Sequence, residues 1–438
     1  MQRLTPITAI LALALAGAHA LRGGDFGLAV AFAVLAGLVP TRRGWVRPVA
    51  VAALAGAGWL WADATVQLIR FRLAFDLPWV RLATIMGAVF SLNCLALWAL
   101  CADGARAYFD RDGRHIAARA ATLLLTVTVL AVARAKVPFP ILLADRYAPG
   151  WGWAEILLLG IYAQWICGLM LEPRGHRAVR PRIWGLFSAV FFLQLALGFF
   201  GMERMLMTGT LHLPAPALIV AGPVFRGGGL FMPILFAVTV LLVGPAWCSH
   251  LCYIGAWDDA MSRQGSPMPS GAAVRRWSLA GRAATLVLCV GGALGLRVLG
   301  ASPGVAVVAA AFFGMIGVAV MVLVSRKAGV MAHCTAYCPM GLVANVLGKV
   351  SPWRIRIGDG CDRCGACVRR CRYNALDDLR LEQGSPNLAC TLCGDCVSAC
   401  ASGRIGYHFP GLSKAASRTV FLVLVTSLHA VFLGVARI

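Results

Sequence analysis

The sequence predicts an all-α polytopic membrane protein of about 10–11 transmembrane helices with one inserted, soluble α+β domain. Three observations predict it. The 438 residues are 60% hydrophobic and only 13% charged, with a mean hydropathy of +0.77. A soluble globular chain carries roughly 25% charged residues, so this one has too little charge to coat a surface in water. Apolar runs of spanning length recur along the chain, and a single polar loop, 326–415, holds ten of the sixteen cysteines. A soluble enzyme, a disordered chain and a secreted disulfide scaffold are all disfavoured. The net charge of +22 does not indicate nucleic acid, because the basic residues sit in short clusters between apolar runs. That is the pattern of loops held at an anionic membrane face, so lipid is the expected partner.

Eleven segments reach or approach the ~20 residues that a span requires. They are 5–21, 26–40, 47–69, 82–103, 117–135, 153–172, 184–202, 228–247, 279–299, 304–325 and 416–436. The second is short. Residues 1–20 read either as a first helix or as a cleavable signal peptide ending in Ala18-His19-Ala20. Basic residues fall on alternate loops: Arg42, Arg43 and Arg47; Arg106, Arg111 and Arg114; Arg174, Arg177, Arg180 and Arg182; Arg263, Arg275 and Arg276; Arg326 and Lys327. The positive-inside rule makes that side cytoplasmic and puts the long loop there. Asp63 and Arg297 lie near span ends, where snorkelling accounts for them. The chain then divides into an N-terminal bundle of about six helices over 1–183, a core over 184–351, a soluble domain over 352–411 and a last helix over 412–438.

The soluble domain carries two cysteine runs, Cys361-x2-Cys364-x2-Cys367-x3-Cys371 and Cys390-x2-Cys393-x2-Cys396-x3-Cys400. Three cysteines at this spacing wrap one side of a 4Fe–4S cube, and the fourth reaches the other cube. Cluster 1 is therefore assigned to Cys361, Cys364, Cys367 and Cys400, and cluster 2 to Cys390, Cys393, Cys396 and Cys371. This makes the insert ferredoxin-like, with two 4Fe–4S clusters. Gly365 and Gly394 follow the second cysteine of each run, where backbone must pass close to inorganic sulfur. Zinc sites show separated C-x2-C pairs instead, and disulfides are disfavoured on a cytoplasmic face. Proline usually follows the fourth cysteine, but here Arg372 and Ala401 stand there. Arg363, Arg369, Arg370 and Arg372 either offset cluster charge or form a solvated basic face.

Two further pairs end membrane segments on the same side: Cys248-x3-Cys252 and Cys334-x3-Cys338, each with a glycine three residues on, Gly255 and Gly341. The unit repeats after 86 residues and would bring four sulfurs together at the membrane surface. These four are candidate redox pairs, or ligands of an additional metal or cluster; His250 and His333 are candidate ligands beside them. Cys94, Cys101, Cys167 and Cys289 lie within apolar segments and read as small buried side chains. No C-x2-C-H occurs, so covalent haem is excluded.

The ordered set Cys248/Cys252, Cys334/Cys338-Pro339 and the two four-cysteine runs resembles the NapH/MauN family of membrane ferredoxin-type proteins (polyferredoxins), related to the membrane parts of NosR and CcoG. The resemblance covers about residues 184–410. It departs at Tyr253, where the family has proline. The resemblance implies a bacterial-type inner membrane and electron relay between the quinone pool and a protein redox partner, as part of a quinol dehydrogenase-type system. The alternative is a biogenesis factor that reduces a metal centre or disulfide for another protein.

Overall fold

The computed structural model describes residues 4–109, 115–206, 213–265 and 272–435. Arg111 and Arg114, counted above in a basic loop, lie outside them. Among the described residues ten helices are long and apolar enough to cross a membrane: Thr5–Arg22, Val46–Ala74, Val80–Cys101, Ile116–Lys136, Gly152–Leu171, Gly175–Phe199, Phe231–Leu251, Arg276–Val298, Pro303–Ala328 and Lys414–Val435. The chain is a multi-pass membrane protein. The eleventh segment forms only the 13-residue helix Phe26–Leu38 and a short turn, Val39–Thr41. At ~1.5 Å per residue it rises about 20 Å, short of the ~30 Å hydrocarbon core. Asp25 starts this helix by accepting the Leu28 amide at 3.0 Å, an N-cap that leaves no room for extension.

The chain forms two compact units. The first comprises Met1–Val132 with Ile156–Gly168. Helix Leu4–Arg22 buries a stripe of small residues, Ala9, Ala12 and Ala16, beside Leu13. Small residues let membrane helices approach closely, and a Cβ added to Gly17 would lie 3.3 Å from the Phe32 Cβ. Polar side chains inside this unit are bonded, as an apolar interior demands. Arg47, fully buried, donates to the Leu100 and Ala102 carbonyls at 2.8 and 3.2 Å and so caps the end of helix Val80–Cys101. Asn93 donates to the Leu54 carbonyl at 3.0 Å, and Arg119 to Gln164 at 2.9 Å.

The second unit, Ala133–Glu155 with Leu169–Ile438, contains the soluble insert and the helices around it. Two short antiparallel strands, β1 (Arg354–Ile357) and β2 (Ile405–His408), pair Ile355 with Tyr407 and Ile357 with Ile405. Those four side chains are buried. Tyr407 stacks on Phe421 of the last helix with ring centroids 4.4 Å apart. Trp353, just before β1, is buried and donates to the Leu242 carbonyl at 2.8 Å. These contacts seat the insert on the membrane helices of its own unit.

One expectation is corrected. Of the four cysteines within apolar segments only Cys167 is buried; Cys94 and Cys101 are exposed and Cys289 is half-buried. The outer face of a membrane helix meets lipid, where a small apolar thiol costs nothing, so hydropathy alone does not place a side chain in the protein core.

Arg47→Met should leave the last carbonyls of helix Val80–Cys101 without their donor. The expected cost is about 1–3 kcal/mol, read as a lower thermal unfolding midpoint in detergent.

Candidate iron–sulfur centres

The two four-cysteine runs fold alike. Each bends twice through left-handed backbone at equivalent positions, Arg363 (φ 47°) and Gly365 (φ 70°) in the first run, Leu392 (φ 55°) and Gly394 (φ 80°) in the second. Glycine takes this conformation freely; Arg363 and Leu392 do not, and such strain persists where surroundings enforce it. Leu392 is buried, and its carbonyl accepts the Tyr407 hydroxyl at 3.0 Å. The bends turn three sulfurs of a run toward one space.

The fourth sulfur is exchanged between the runs. Cys361, Cys364, Cys367 and Cys400 line one cavity. Cys371 instead packs with Cys390 and Cys393 around the apolar cluster that includes Tyr373. Burial pushes the thiols of Cys371, Cys390 and Cys393 up to about 12. Cys400 behaves differently: burial raises it, but amide hydrogen bonds from Ile405, Arg404 and Gly403 and the Ser402 hydroxyl outweigh that and hold it below the ordinary thiol value. Thiols this buried become thiolates only against a positive partner such as iron.

The Arg side chains near the ligands do separate jobs. Arg363 pairs with Glu382 at 2.8 Å. Arg369 donates to the Cys364 carbonyl at 3.3 Å. Arg372 donates to the carbonyls of Ser262, Gly265 and Gly329 at 2.6–2.8 Å. Where a proline would end the run, Arg372 thus ties it to the segment that follows the first C-x3-C unit and to the one that precedes the second.

Both C-x3-C pairs lie in π-helical turns, Trp247–Leu251 and His333–Tyr337. The spacing predicts an ordinary helical turn; the structure has the wider one. The second cysteine closes each turn by donating its amide five residues back, Cys252 to Trp247 at 3.0 Å and Cys338 to His333 at 2.7 Å. A helix then starts at once, Tyr253–Ser262 and Pro339–Leu347. Tyr253 replaces proline without penalty, because the first helical residue needs no intrahelical donor. The first amides of each helix, Ile254 and Gly255 beside Cys252 and Met340 and Gly341 beside Cys338, act to lower those thiols. Burial still raises both thiols, Cys252 to about 12. The two glycines share a reason. A Cβ on Gly255 would lie 2.9 Å from the Cys248 carbonyl, and one on Gly341 2.8 Å from the Cys334 carbonyl.

The two turns face each other, and Cys248, Cys252, Cys334 and Cys338 line one cavity. His333 lines it too; His250 does not, and instead bonds Ser249 through Nδ1 at 3.0 Å. Among the described residues no three His, Cys, Asp or Glu side chains converge as a single ion requires, whereas a cubane spreads its thiolates over its corners.

Sequence reasoning passed over the groups that hold these sites in place. Helix Pro173–Phe199, divided above at 183/184, enters the site as one piece. Its His176 hydrogen-bonds the Cys393 carbonyl at 2.8 Å. Its Arg180, fully buried, meets Asp395 with two bonds at 3.0 and 2.8 Å and Asp259 at 3.3 Å. Arg263 completes the set at 2.6 Å from Asp259. Burial would raise the Asp395 carboxyl, but Arg180, then Arg263, hold it below the usual carboxylate range. Asp258 accepts the Cys334 amide at 2.9 Å. The sequence alone places Arg180 only among the loop charges. Arg282, buried in the cavity wall, is an arginine inside an apolar run, and that was the available signal.

Segments 225–277 and 309–358 match a family model described as a 4Fe-4S binding domain. Together they cover less than half of the chain. This is a membrane iron–sulfur protein. The matched segments hold the two C-x3-C turns, not the two four-cysteine runs. No curated protein and no solved structure matches the chain.

Arg180→Met should strand two buried carboxylates. Removing one partner of a buried ion pair costs about 3–5 kcal/mol, read as a lower thermal midpoint. In the native protein the Asp395 contribution is present above the ordinary carboxylate range and is lost as pH falls through the depressed value. Midpoint against pH should therefore fall on the acid side for wild type and stay flatter there for Arg180→Met.

Proposed function

We propose that this protein is a membrane-bound relay that passes single electrons between the quinone pool and a protein redox partner. Two 4Fe–4S clusters would sit in the insert on the cytoplasmic side, the first on Cys361, Cys364, Cys367 and Cys400 and the second on Cys390, Cys393, Cys396 and Cys371. The observation that carries this reading is the exchange of the fourth cysteine between the runs. It interlocks two four-sulfur sites, and adjacent sites are what electron transfer needs. A cluster supplies one-electron chemistry; the chain supplies the rest. Left-handed turns aim the sulfurs, Ala375 donates its amide to the Cys371 sulfur at 3.2 Å, and Arg180 and His176 fix the second run to a membrane helix. The NapH/MauN resemblance points to the same role, with the quinone side in the membrane.

The alternative, reduction of a metal centre or disulfide for another protein, would use the C-x3-C thiols directly. It is less well supported, because Cys248 and Cys252 are each only 7% exposed, which leaves the half-buried Cys334 and Cys338 as the more accessible pair.

The test is reduction of the anaerobically purified protein in liposomes by a reduced quinone analogue, followed by the visible absorbance and EPR of the clusters. The relay predicts bleaching by quinol, about eight iron atoms in the insert, and loss of roughly half of these in Cys364→Ser or Cys393→Ser. Zinc in place of iron, or iron unchanged by either variant, would sink it.

A further inference from the structure

We infer that the space between the two π turns holds a third iron–sulfur cluster, bound by Cys248, Cys252, Cys334 and Cys338, with Arg282 as its buried counter-charge. The inference rests on the relay reading above, but concerns different residues.

Four observations carry it. The first is the matched geometry of the two turns. Each is closed by the same five-residue bond, each releases its second cysteine at a helix start, and each keeps a glycine against the carbonyl of its first cysteine. Two unrelated structural turns would not need to agree in all three respects. π-Helical turns concentrate at functional sites because they push side chains out of helical register.

The second is space. The cavity between the turns is lined by all four of these sulfurs, as the one in the insert is lined by Cys361, Cys364, Cys367 and Cys400.

The third is charge. Arg282 is 3% exposed, and its Nε has no hydrogen-bond partner. Among the described residues no carboxylate pairs with it. It lines the cavity together with Cys248, Cys334 and Cys338. A buried guanidinium beside neutral thiols alone would be left uncompensated, which is costly. Four thiolates around a cubane carry a net negative charge that one guanidinium and four helix-start amides offset.

The fourth is position. Tyr373, Ala389 and Thr391 form part of the cavity wall, and they flank Cys371 and Cys390 in sequence. Cys334 packs with Cys371, Cys390 and Cys393 around one apolar cluster that includes Tyr373. The third site therefore borders the second. It would be the last centre on the membrane side of the relay.

The experiment is iron and acid-labile sulfide per chain on the anaerobically purified full-length protein, with a reductive titration followed by EPR. Wild type should hold about twelve iron atoms rather than about eight, a comparison that needs no variant. Replacing Cys248, Cys252, Cys334 and Cys338 together by serine should remove about a third of the iron while the signals of the two insert clusters persist. Arg282→Leu should keep the iron but move one midpoint to a more negative potential, since the reduced cluster loses its counter-charge; Arg282→Lys should restore most of that shift. About eight iron atoms in wild type, unchanged by the four serines, would overturn the third site and leave the relay intact. Iron insensitive to Cys364→Ser and Cys393→Ser would instead remove the relay reading itself.

Discussion

Burying many sulfur ligands beside a membrane poses one constraint that organises the second unit. Negative charge must sit where water cannot solvate it, so the chain must supply fixed positive groups and aimed amides. Two buried arginines do most of this. Arg180 anchors the second four-cysteine run through Asp395, and Arg282 faces the sulfurs of the C-x3-C turns. Helix starts at Tyr253 and Pro339 add amide dipoles where they are closest to sulfur. Asp395 and Asp259 are then required in turn, because Arg180 and Arg263 would otherwise be unpaired.

That constraint also explains why the insert is seated on its helices rather than tethered to them. A cluster on a mobile domain would expose its sulfurs and vary its distance to the next centre. Here Tyr407 stacks on the last helix, Trp353 bonds the Leu242 carbonyl, Arg372 gathers three carbonyls, and His176 holds the Cys393 carbonyl. Each contact is short-range and directional, and together they fix the second run.

The membrane helices were legible because a span is long and its signal is summed over ~20 residues; only 26–40 fell short, and its weakness showed in its length. That Cys400 would lie beside the first run was expected from the ferredoxin spacing, and it lines the same cavity. The left-handed turns at Arg363 and Leu392 were not, since nothing in those residue types asks for positive φ. Nor were Arg180 and His176, whose partners Asp395 and Cys393 lie more than 200 residues away in sequence. The π turns were half legible: i, i+4 spacing put both cysteines on one face, but a four-residue spacing does not distinguish a π turn from an ordinary one.

The two halves of the internal repeat are alike in backbone and unlike in what covers them. Gly255 has Trp184 against it, with the Trp184 indole donating to the Cys252 carbonyl at 2.7 Å, whereas Gly341 has the Arg282 guanidinium as its neighbour. Tyr253 stacks on Phe191 at 3.8 Å, where the second half has the rigid ring of Pro339. The first half is therefore sealed by aromatic rings and the second carries the charge. A site built from two equivalent turns but polarised in this way has one side that excludes water and one that stabilises negative charge. A structural brace would have no use for that asymmetry, whereas the proposed third centre would use both.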